Sequence, residues 1–220
     1  AIGLLSLLKV LSVSSYKTLA HQSQVINLPD DSEVLIQAGS TLSYNPYFWF
    51  LDREVELEGE AFFEVAKGKI FTVDTPNGKV KVLGTKFNVK TFNNKLSVVC
   101  YEGRVEVTQN KIKAVISKNE FIELKNDKVE KKSKINLKQD PSTSEYYQII
   151  NLSFPELIKD IERYFDVEID TQNIETNKNF TGQLPKNDIK KALNIISKTY
   201  QLKYQITNEN NYIFVSNEKG

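Results

Sequence analysis

The fold is decided by a stretch in the first third of the chain, which reads Arg53-Glu54-Val55-Glu56-Leu57-Glu58-Gly59-Glu60-Ala61-Phe62-Phe63-Glu64-Val65. From Glu54 to Glu58 its charged and apolar residues alternate strictly. Because successive side chains of a β-strand point to opposite faces of the sheet, this alternation places Val55 and Leu57 toward a core and the glutamates toward water. The stretch therefore predicts a strand that is buried on one face.

The same period of two extends on both sides of this stretch, from about Val25 to Val129. Turn-forming residues separate the apolar runs, for example at Pro29-Asp30-Asp31, at Pro76-Asn77-Gly78 and at Glu102-Gly103. Many short alternating segments divided by turns are typical of all-β domains. We therefore predict an antiparallel β-sandwich or roll, jelly-roll-like, over residues 21–130.

The pattern changes after a polar stretch at residues 131–144, which contains Asp140-Pro141-Ser142-Thr143-Ser144 and is predicted to be a linker. Beyond it, Ser153 and Glu156 have the spacing of a helix capping box, and apolar residues then recur at helical spacing. The predicted order of elements over residues 145–217 is β-α-β-β-α-β-β. This order predicts a small α+β domain with two helices on one sheet.

The N-terminal segment, residues 1–20, is considered apart from both domains. Its first part, Ala1–Val13, is apolar except for Ser6, Lys9 and Ser12. A membrane-spanning helix needs about 20 apolar residues and the core of a signal peptide about 7–15, so neither pattern fits fully. Three interpretations stay open: the end of a membrane anchor, an ordinary buried segment, and a signal-peptide remnant.

The composition argues against the common catalytic and nucleic-acid-binding classes. The formal charge is +1, whereas proteins that bind nucleic-acid phosphates present a dense basic face. The lone Cys100 and the lone His21 have no companions for a zinc site or a catalytic triad. Cys100 lies in a strand-like run and is expected to be buried. We therefore expect no catalytic residue, no metal site and no cofactor, and we predict that the protein is not an enzyme.

The richest acidic stretch runs from Glu54 to Glu64. On a strand, alternate carboxylates share a face about 6.5–7 Å apart, a spacing that suits a glycoside hydrolase or the start of a calcium site. The alternation with Val55 and Leu57 favours a plain solvated face instead. General acid catalysis needs one desolvated carboxyl group, and the sequence shows no sign of one.

An aromatic cluster surrounds Asn45-Pro46 and consists of Tyr44, Tyr47, Phe48, Trp49 and Phe50. Two roles stay open for it. The rings can pack at an end of the β domain, or exposed rings can recognise a sugar or a protein partner. The second role provides an alternative function for the chain, that of a carbohydrate- or cell-wall-binding β-module.

Six stretches of the all-β region resemble, in order, the FecR family of anti-sigma regulators. They are Leu28–Ser32, Ala38–Tyr44, Arg53–Val65, Phe71–Val73, Val80–Val89 and Tyr101–Val107. Residues 154–215 resemble the C-terminal domain of Bacteroidetes members of this family, with landmarks at Tyr164-Phe165 and Phe180-Thr181-Gly182. Two turns depart from the family pattern. Asp31 stands where glycine is usual, and Asn119, which tolerates positive φ, lies where the family has a Pro-Gly-like turn.

The resemblance implies a location and two partners. Members of the family are single-pass inner-membrane proteins, so this chain would be a periplasmic portion tethered to the inner membrane. That portion contacts the N-terminal signalling domain of a TonB-dependent outer-membrane transporter. A cytoplasmic region, which we do not find in this chain, binds an extracytoplasmic-function sigma factor. The resemblance thus implies a sensor that relays a signal from the transporter to the sigma factor by protein–protein binding.

The C-terminal domain is predicted to contact the transporter by strand addition to an exposed sheet edge. The candidate edges are Phe180–Leu184 and Tyr212–Val215. The candidate partner-binding residues on them are Phe180, Gly182, Leu184, Tyr212 and Phe214.

Overall fold

The computed structural model describes residues 13–135, 141–171, 174–208 and 210–216. The chain divides into two compact units, Ala1–Asp140 and Pro141–Gly220, which we call the first and the second unit. Over the described ranges, no helix combines the length and the apolar character that crossing a membrane requires.

The described part of the first unit is built from strands. They are β1 (Ser14–Lys17), β2 (Gln24–Asn27), β3 (Glu33–Ile36), β4 (Thr41–Tyr44), β5 (Arg53–Glu64), β6 (Phe71–Thr75), β7 (Gly78–Val82), β8 (Lys86–Phe92), β9 (Lys95–Glu102), β10 (Arg104–Gln109), β11 (Ile112–Ser117), β12 (Glu120–Lys125) and β13 (Lys128–Lys134).

These strands form a sheet that folds into two halves, and β5 belongs to both. The first half has the order β1-β4-β5-β6-β7-β10-β11, and the second has the order β2-β3-β5-β8-β9-β12-β13. The N-terminal part of β5 pairs with β4 and β6, whereas its C-terminal part pairs with β3 and β8. The predicted mainly-β roll is therefore confirmed.

Alternation along the strands produces the core between the two halves. Val55 and Leu57 are buried, whereas Glu56 and Glu58 beside them are exposed. Three phenylalanines mark the centre of the core, because Phe63 stacks on Phe87 with ring centroids 5.0 Å apart and meets Phe71 edge-on at 6.0 Å. Burial of this apolar surface is the main stabilising contribution to such a domain.

One strand pair departs from the predicted antiparallel arrangement. β5 and β6 run parallel, with Arg53 opposite Phe71 and Glu56 opposite Asp74. The reason is that β5 changes from one half of the sheet to the other. The chain leaves its C-terminal end in the second half and returns through residues 65–70 to the starting end of β5 before β6 begins.

The change of sheet half takes place at Gly59, where the backbone has φ +115°. A Cβ on Gly59 would lie 2.4 Å from Ser40 Oγ. Ser40 Oγ instead accepts a hydrogen bond from the backbone N–H of Glu60 at 2.8 Å. Thr18 holds the Ser40 turn in place, because its N–H donates to the Ser40 carbonyl at 2.9 Å. This close approach of a turn to a strand requires a residue without a side chain.

Arg53, at the start of β5, joins two loops to the core. Its guanidinium donates to the carboxylate of Asp30 and to the backbone carbonyls of Ala66 and Lys69. It also lies 5.6 Å from the ring centroid of Phe71, a cation–π distance. The Arg53 side chain is only 9% exposed, so this ion pair is largely desolvated.

The two turns that depart from the family pattern adopt left-handed backbone conformations. Asp31 has φ 64° and Asn119 has φ 61°. The expectation of positive φ at Asn119 is confirmed. Asp31 keeps the conformation that a glycine would adopt most easily, since Asp and Asn are the non-glycine residues that tolerate this region best.

The structure corrects two predicted domain boundaries. Ser14–Lys17 forms a strand that pairs with β4, so the all-β domain begins before residue 21. β13 pairs with β12 up to Lys134, so the domain also extends past residue 130 into the predicted linker. The polar composition misled the linker prediction, because β13 is an edge strand whose side chains mostly face water. Residues 1–12 and 136–140 lie outside the described ranges.

The second unit has the predicted order of elements. They are β14 (Tyr146–Leu152), α1 (Phe154–Phe165), β15 (Glu168–Asp170), β16 (Phe180–Pro185), α2 (Ile189–Tyr200), β17 (Leu202–Asn208) and β18 (Asn211–Ser216). At the start of α1, the N–H of Ser153 donates to Glu156 Oε2 at 3.1 Å. The predicted capping interaction between these two residues is therefore present.

The described strands of the second unit form two sheets, so the prediction of two helices on one sheet is wrong. β14 pairs with β16 alone, whereas β15, β18 and β17 form a separate sheet with β18 in the centre. The difference arises because β15 pairs in parallel with β18. The apolar faces of the helices are buried, including Ile161 and Phe165 of α1 and Leu193 and Ile196 of α2.

Candidate partner-binding surfaces

The glutamates of β5 lie mostly in water; the exception is Glu60, whose side chain is 14% exposed and is bonded by Asn88 and Lys90. Glu56 and Glu58 lie exposed on the first half of the sheet, while Glu60 and Glu64 lie on the second half. Lysines neutralise several of them, because Lys79 lies 3.3 Å from Glu54, Lys90 lies 3.4 Å from Glu60 and Lys86 lies 2.7 Å from Glu64. A shallow open groove passes Glu56 and Glu58, but it leaves both carboxylates in water. General acid catalysis would need one of them desolvated.

The remaining candidates for catalysis or metal binding do not form a site either. His21 lies exposed in a turn with φ 59°. Within the described ranges, no group of three or more His, Cys, Asp or Glu side chains is arranged to hold a metal ion.

Cys100 is fully buried in β9, as predicted. Its Sγ lies 3.5 Å from the carbonyl oxygen of Gly103 and 3.6 Å from that of Glu102. Burial raises the pKa of the thiol from 9.0 to about 11, and the nearby Glu120 adds to this effect. The thiolate, which is the nucleophilic form, is therefore disfavoured.

We expect Cys100 to resist thiol reagents in the folded chain. A pKa higher by two units lowers the thiolate fraction at pH 8 about 100-fold, and burial blocks access further. The measurement is the rate of modification by a chromogenic disulfide reagent at pH 8, with and without denaturing urea. The exposed control Val129→Cys should react rapidly without urea. Equal rates for Cys100 in the folded and unfolded chain would contradict its burial.

The aromatic cluster is divided between the core and the surface. Tyr44 and Trp49 are buried, with ring centroids 5.4 Å apart, and Trp49 also meets Phe71 edge-on at 5.8 Å. Tyr47 and Phe50 are each 71% exposed. Packing is therefore the role of Tyr44 and Trp49, whereas Tyr47 and Phe50 are accessible to a partner. Because Trp49 is in the core, it cannot stack on a sugar.

Hydrogen bonds fix the loop that carries the exposed rings. The Asn45 Oδ1 accepts from the N–H of Tyr47 at 3.0 Å and from that of Phe48 at 3.3 Å. The Phe48 carbonyl in turn accepts from the N–H groups of Leu51 and Asp52. With Trp49 anchored in the core, the loop presents its neighbours outward in a defined geometry.

Three aliphatic side chains extend this exposed surface. Leu51, Ile70 and Leu83 line a common shallow depression on the same end of the first unit. We call these residues, together with Tyr47 and Phe50, the apolar tip; their exposed fractions run from 57% to 71%. Sequence analysis missed the aliphatic members. Ile70 and Leu83 could have been found, because each stands next to a core residue, Phe71 or Val82, and a strand can bury only one of two consecutive side chains on a single core face.

The second unit contains the two predicted sheet edges, and one of them is not an edge. β18 lies between β15 and β17, so the prediction of a free edge at Tyr212–Val215 is wrong. β18 resembled an edge because it is the last strand in the sequence, but the parallel pairing with β15 covers it. β16 pairs with β14 alone and keeps an open edge among the described strands.

The predicted partner-binding side chains are mostly in the core. Phe180, Leu184, Tyr212 and Phe214 are buried, and Gly182 is half-buried. Phe214 packs edge-on against Phe154 of α1, with ring centroids 6.1 Å apart. On β16, therefore, a partner could reach the backbone edge and the outward side chains, but not Phe180 or Leu184.

Comparisons with known proteins agree for both units. A family model described as FecR protein matches residues 14–106, and one described as FecR, C-terminal, matches residues 147–215. Two crystal structures of a candidate anti-sigma factor from Parabacteroides distasonis have a TM-score of 0.82 and 25% identity to this chain. They cover 94% and 93% of this chain and 100% of their own. No curated protein matches the chain. The two family models together cover most of the sequence, and the chain belongs to the FecR-like family of anti-sigma regulators.

Proposed function

We propose that this chain is the periplasmic sensor region of a FecR-like regulator, tethered to the inner membrane by an N-terminal anchor. In this role it binds the signalling domain of a TonB-dependent transporter and passes the signal to an extracytoplasmic-function sigma factor through a cytoplasmic region. Membership of the family supports a regulatory role without catalysis. The solvated glutamates and the buried Cys100 are consistent with a protein that acts through its surfaces.

The observation that carries the proposed binding mode is the open edge of β16. An incoming strand could pair with it through backbone hydrogen bonds, which is the basis of β-augmentation. Thr181 is exposed and Gln183 is half-buried, so both offer polar contacts beside the edge. Pro185 ends the usable edge, because proline has no N–H to donate.

The other open edges of the second unit suit a partner strand less well. β17 carries the exposed Lys203, and lysine on an edge discourages further pairing. β15 has only three residues, and the first and last of them are the exposed Glu168 and Asp170. β14 is interrupted at Asn151, where φ is 56° and the register with β16 shifts. β16 between Phe180 and Pro185 has no charged residue.

The experiment compares two matched substitutions in the whole chain, Gln183→Lys on β16 and Gln205→Lys on β17. Binding to the purified signalling domain of the cognate transporter is measured by calorimetry. We expect the change on β16 to weaken binding about tenfold, equivalent to about 1.4 kcal/mol, and the change on β17 to leave it unaltered. Equal affinities of both variants would show that the transporter domain does not bind at the edge of β16. No binding by the unsubstituted chain would overturn the transporter as the partner.

A further inference from the structure

The apolar tip groups several exposed apolar side chains, and hydrogen bonds hold the loop that carries three of them. Leu51, Ile70 and Leu83, from three separate loops, line one depression at an end of the first unit, and Tyr47 and Phe50 are exposed in the loop that carries Leu51. The hydrogen bonds from Asn45 and Phe48 hold the central loop in shape. Contiguous exposed apolar surface of this kind marks a site that contacts a protein or a membrane.

The described part of the chain begins at this same end of the first unit. Ser14 is opposite Tyr44 in the pairing of β1 with β4, so β1 begins beside the loop that carries the tip. Val13 lines one groove together with Phe48 and Asp52 of that loop. The described chain therefore begins beside the loop that carries Tyr47, Phe50 and Leu51.

The segment that precedes Val13 is mostly apolar, as one of its three interpretations, the end of a membrane anchor, requires. Among its twelve residues only Ser6, Lys9 and Ser12 are polar. If this segment enters a bilayer, as the proposed tether requires, Val13 and the loop that shares its groove would lie near the bilayer surface. Tyrosine, phenylalanine and leucine are suited to that zone, because their apolar bodies insert while the tyrosine hydroxyl remains hydrated.

Charges around the tip are nearly balanced. Asp52, Arg53, Glu54 and Lys69 line the depression, and Lys67 is exposed in the same loop as Lys69. Such a balance provides little attraction to anionic lipids. Insertion of apolar side chains would therefore dominate the contact, which suits a zwitterionic lipid surface.

We propose that the apolar tip inserts into the interface of the membrane that anchors the chain, so that the first unit rests on the lipid surface through Tyr47, Phe50, Leu51, Ile70 and Leu83. This inference rests on the proposed membrane tether. A bilayer is favoured over a protein partner because the chain itself enters the first unit at the tip.

The test measures the depth of single labelled positions in the whole chain reconstituted into phosphatidylcholine vesicles. Phe50→Cys and the control Val129→Cys are each labelled with an environment-sensitive fluorophore; the native Cys100 is fully buried and does not compete. Val129 is also exposed, at 47%, and lies beside the β12–β13 turn, far from the tip along the strands. We expect spin-labelled lipids to quench the label at position 50 several-fold more than the label at position 129.

A second variant tests whether the apolar side chains cause the insertion. With the label on Tyr47→Cys, the changes Phe50→Glu and Leu51→Glu should reduce quenching to the level of position 129, while flotation with vesicles persists. High salt should leave quenching at position 50 unchanged.

The outcomes separate this inference from the tether. A chain that floats with vesicles but shows equal quenching at positions 50 and 129 would overturn the inference and leave the tether intact. A chain that does not float at all would overturn both. Quenching that survives the two glutamate substitutions would overturn the inference, because it would show that the apolar side chains of Phe50 and Leu51 do not cause the contact with lipid.

Discussion

A chain that carries Gly59→Val is expected to lose most of the stability of its first unit. Valine would have to adopt φ +115°, where branched residues are strained, at a cost of about 1–3 kcal/mol. Its Cβ would also overlap Ser40, because that atom would lie only 2.4 Å from Ser40 Oγ, and overpacking costs a further 1–3 kcal/mol or so. A domain of this size is stable by about 5–15 kcal/mol, so this single change threatens the fold.

Urea denaturation followed by Trp49 fluorescence measures this effect, because the only tryptophan lies in the core of the first unit. Glu58→Val is the matched control, since it introduces the same side chain at an exposed position of the same strand. The control should change the free energy of unfolding by no more than about 0.5 kcal/mol. Similar unfolding midpoints for the two variants would show that the bend at Gly59 tolerates a side chain.

Replacement of Arg53 by alanine should be nearly as damaging. The guanidinium bonds Asp30, the carbonyls of Ala66 and Lys69, and the ring of Phe71 in a largely desolvated setting. Its removal leaves the Asp30 carboxylate, which is 16% exposed, without this partner. Breaking a buried ion pair from one side costs about 3–5 kcal/mol. Arg53→Lys should recover little, because one ammonium group cannot reproduce the planar set of donors.

The control for Arg53 is Lys79→Ala. Lys79 also bonds two acidic residues, Glu54 at 3.3 Å and Asp74 at 2.6 Å, but its side chain is 49% exposed. Exposed ion pairs contribute about 0–1 kcal/mol, so this change should be mild. The same urea denaturation compares the two variants. If the Arg53→Ala chain were as stable as the Lys79→Ala chain, the buried ion pair would contribute little to holding the loops of Asp30 and Ala66 against the core.

The sequence was sufficient to predict the strands of the first unit but not their partners. Alternation identifies which side chains face the core, because burial of one face imposes a period of two. It does not distinguish a parallel from an antiparallel neighbour, so the pairing of β6 with β5 was missed. Nor does it show that a strand such as β5 serves two halves of a sheet, although Gly59 marked the bend. Those features depend on contacts between residues distant in sequence.

Prediction of the binding surfaces was limited in the same way. β16 and β18 are both short apolar strands, and only long-range pairing decides which one lies in the centre of a sheet. Charge does not separate the two, because neither β16 nor β18 carries a charged residue, although Lys203 is consistent with an edge position for β17. Within the aromatic cluster, composition alone could not decide that Trp49 packs inward while Tyr47 and Phe50 face water.

The chain enters and leaves the described part of the first unit at the same end, along two outermost strands. β1 begins opposite Tyr44, and β13 finishes with Lys134 opposite Glu120, which itself pairs with Cys100 near the start of β10. A force that drew these two points apart would act across the strands. Each strand would then peel from its neighbour one cross-strand bond at a time, starting at Ser14 or at Lys134. Peeling needs less force than sliding a whole strand lengthwise, so mechanical tension would release the outermost strands before it disturbed the core.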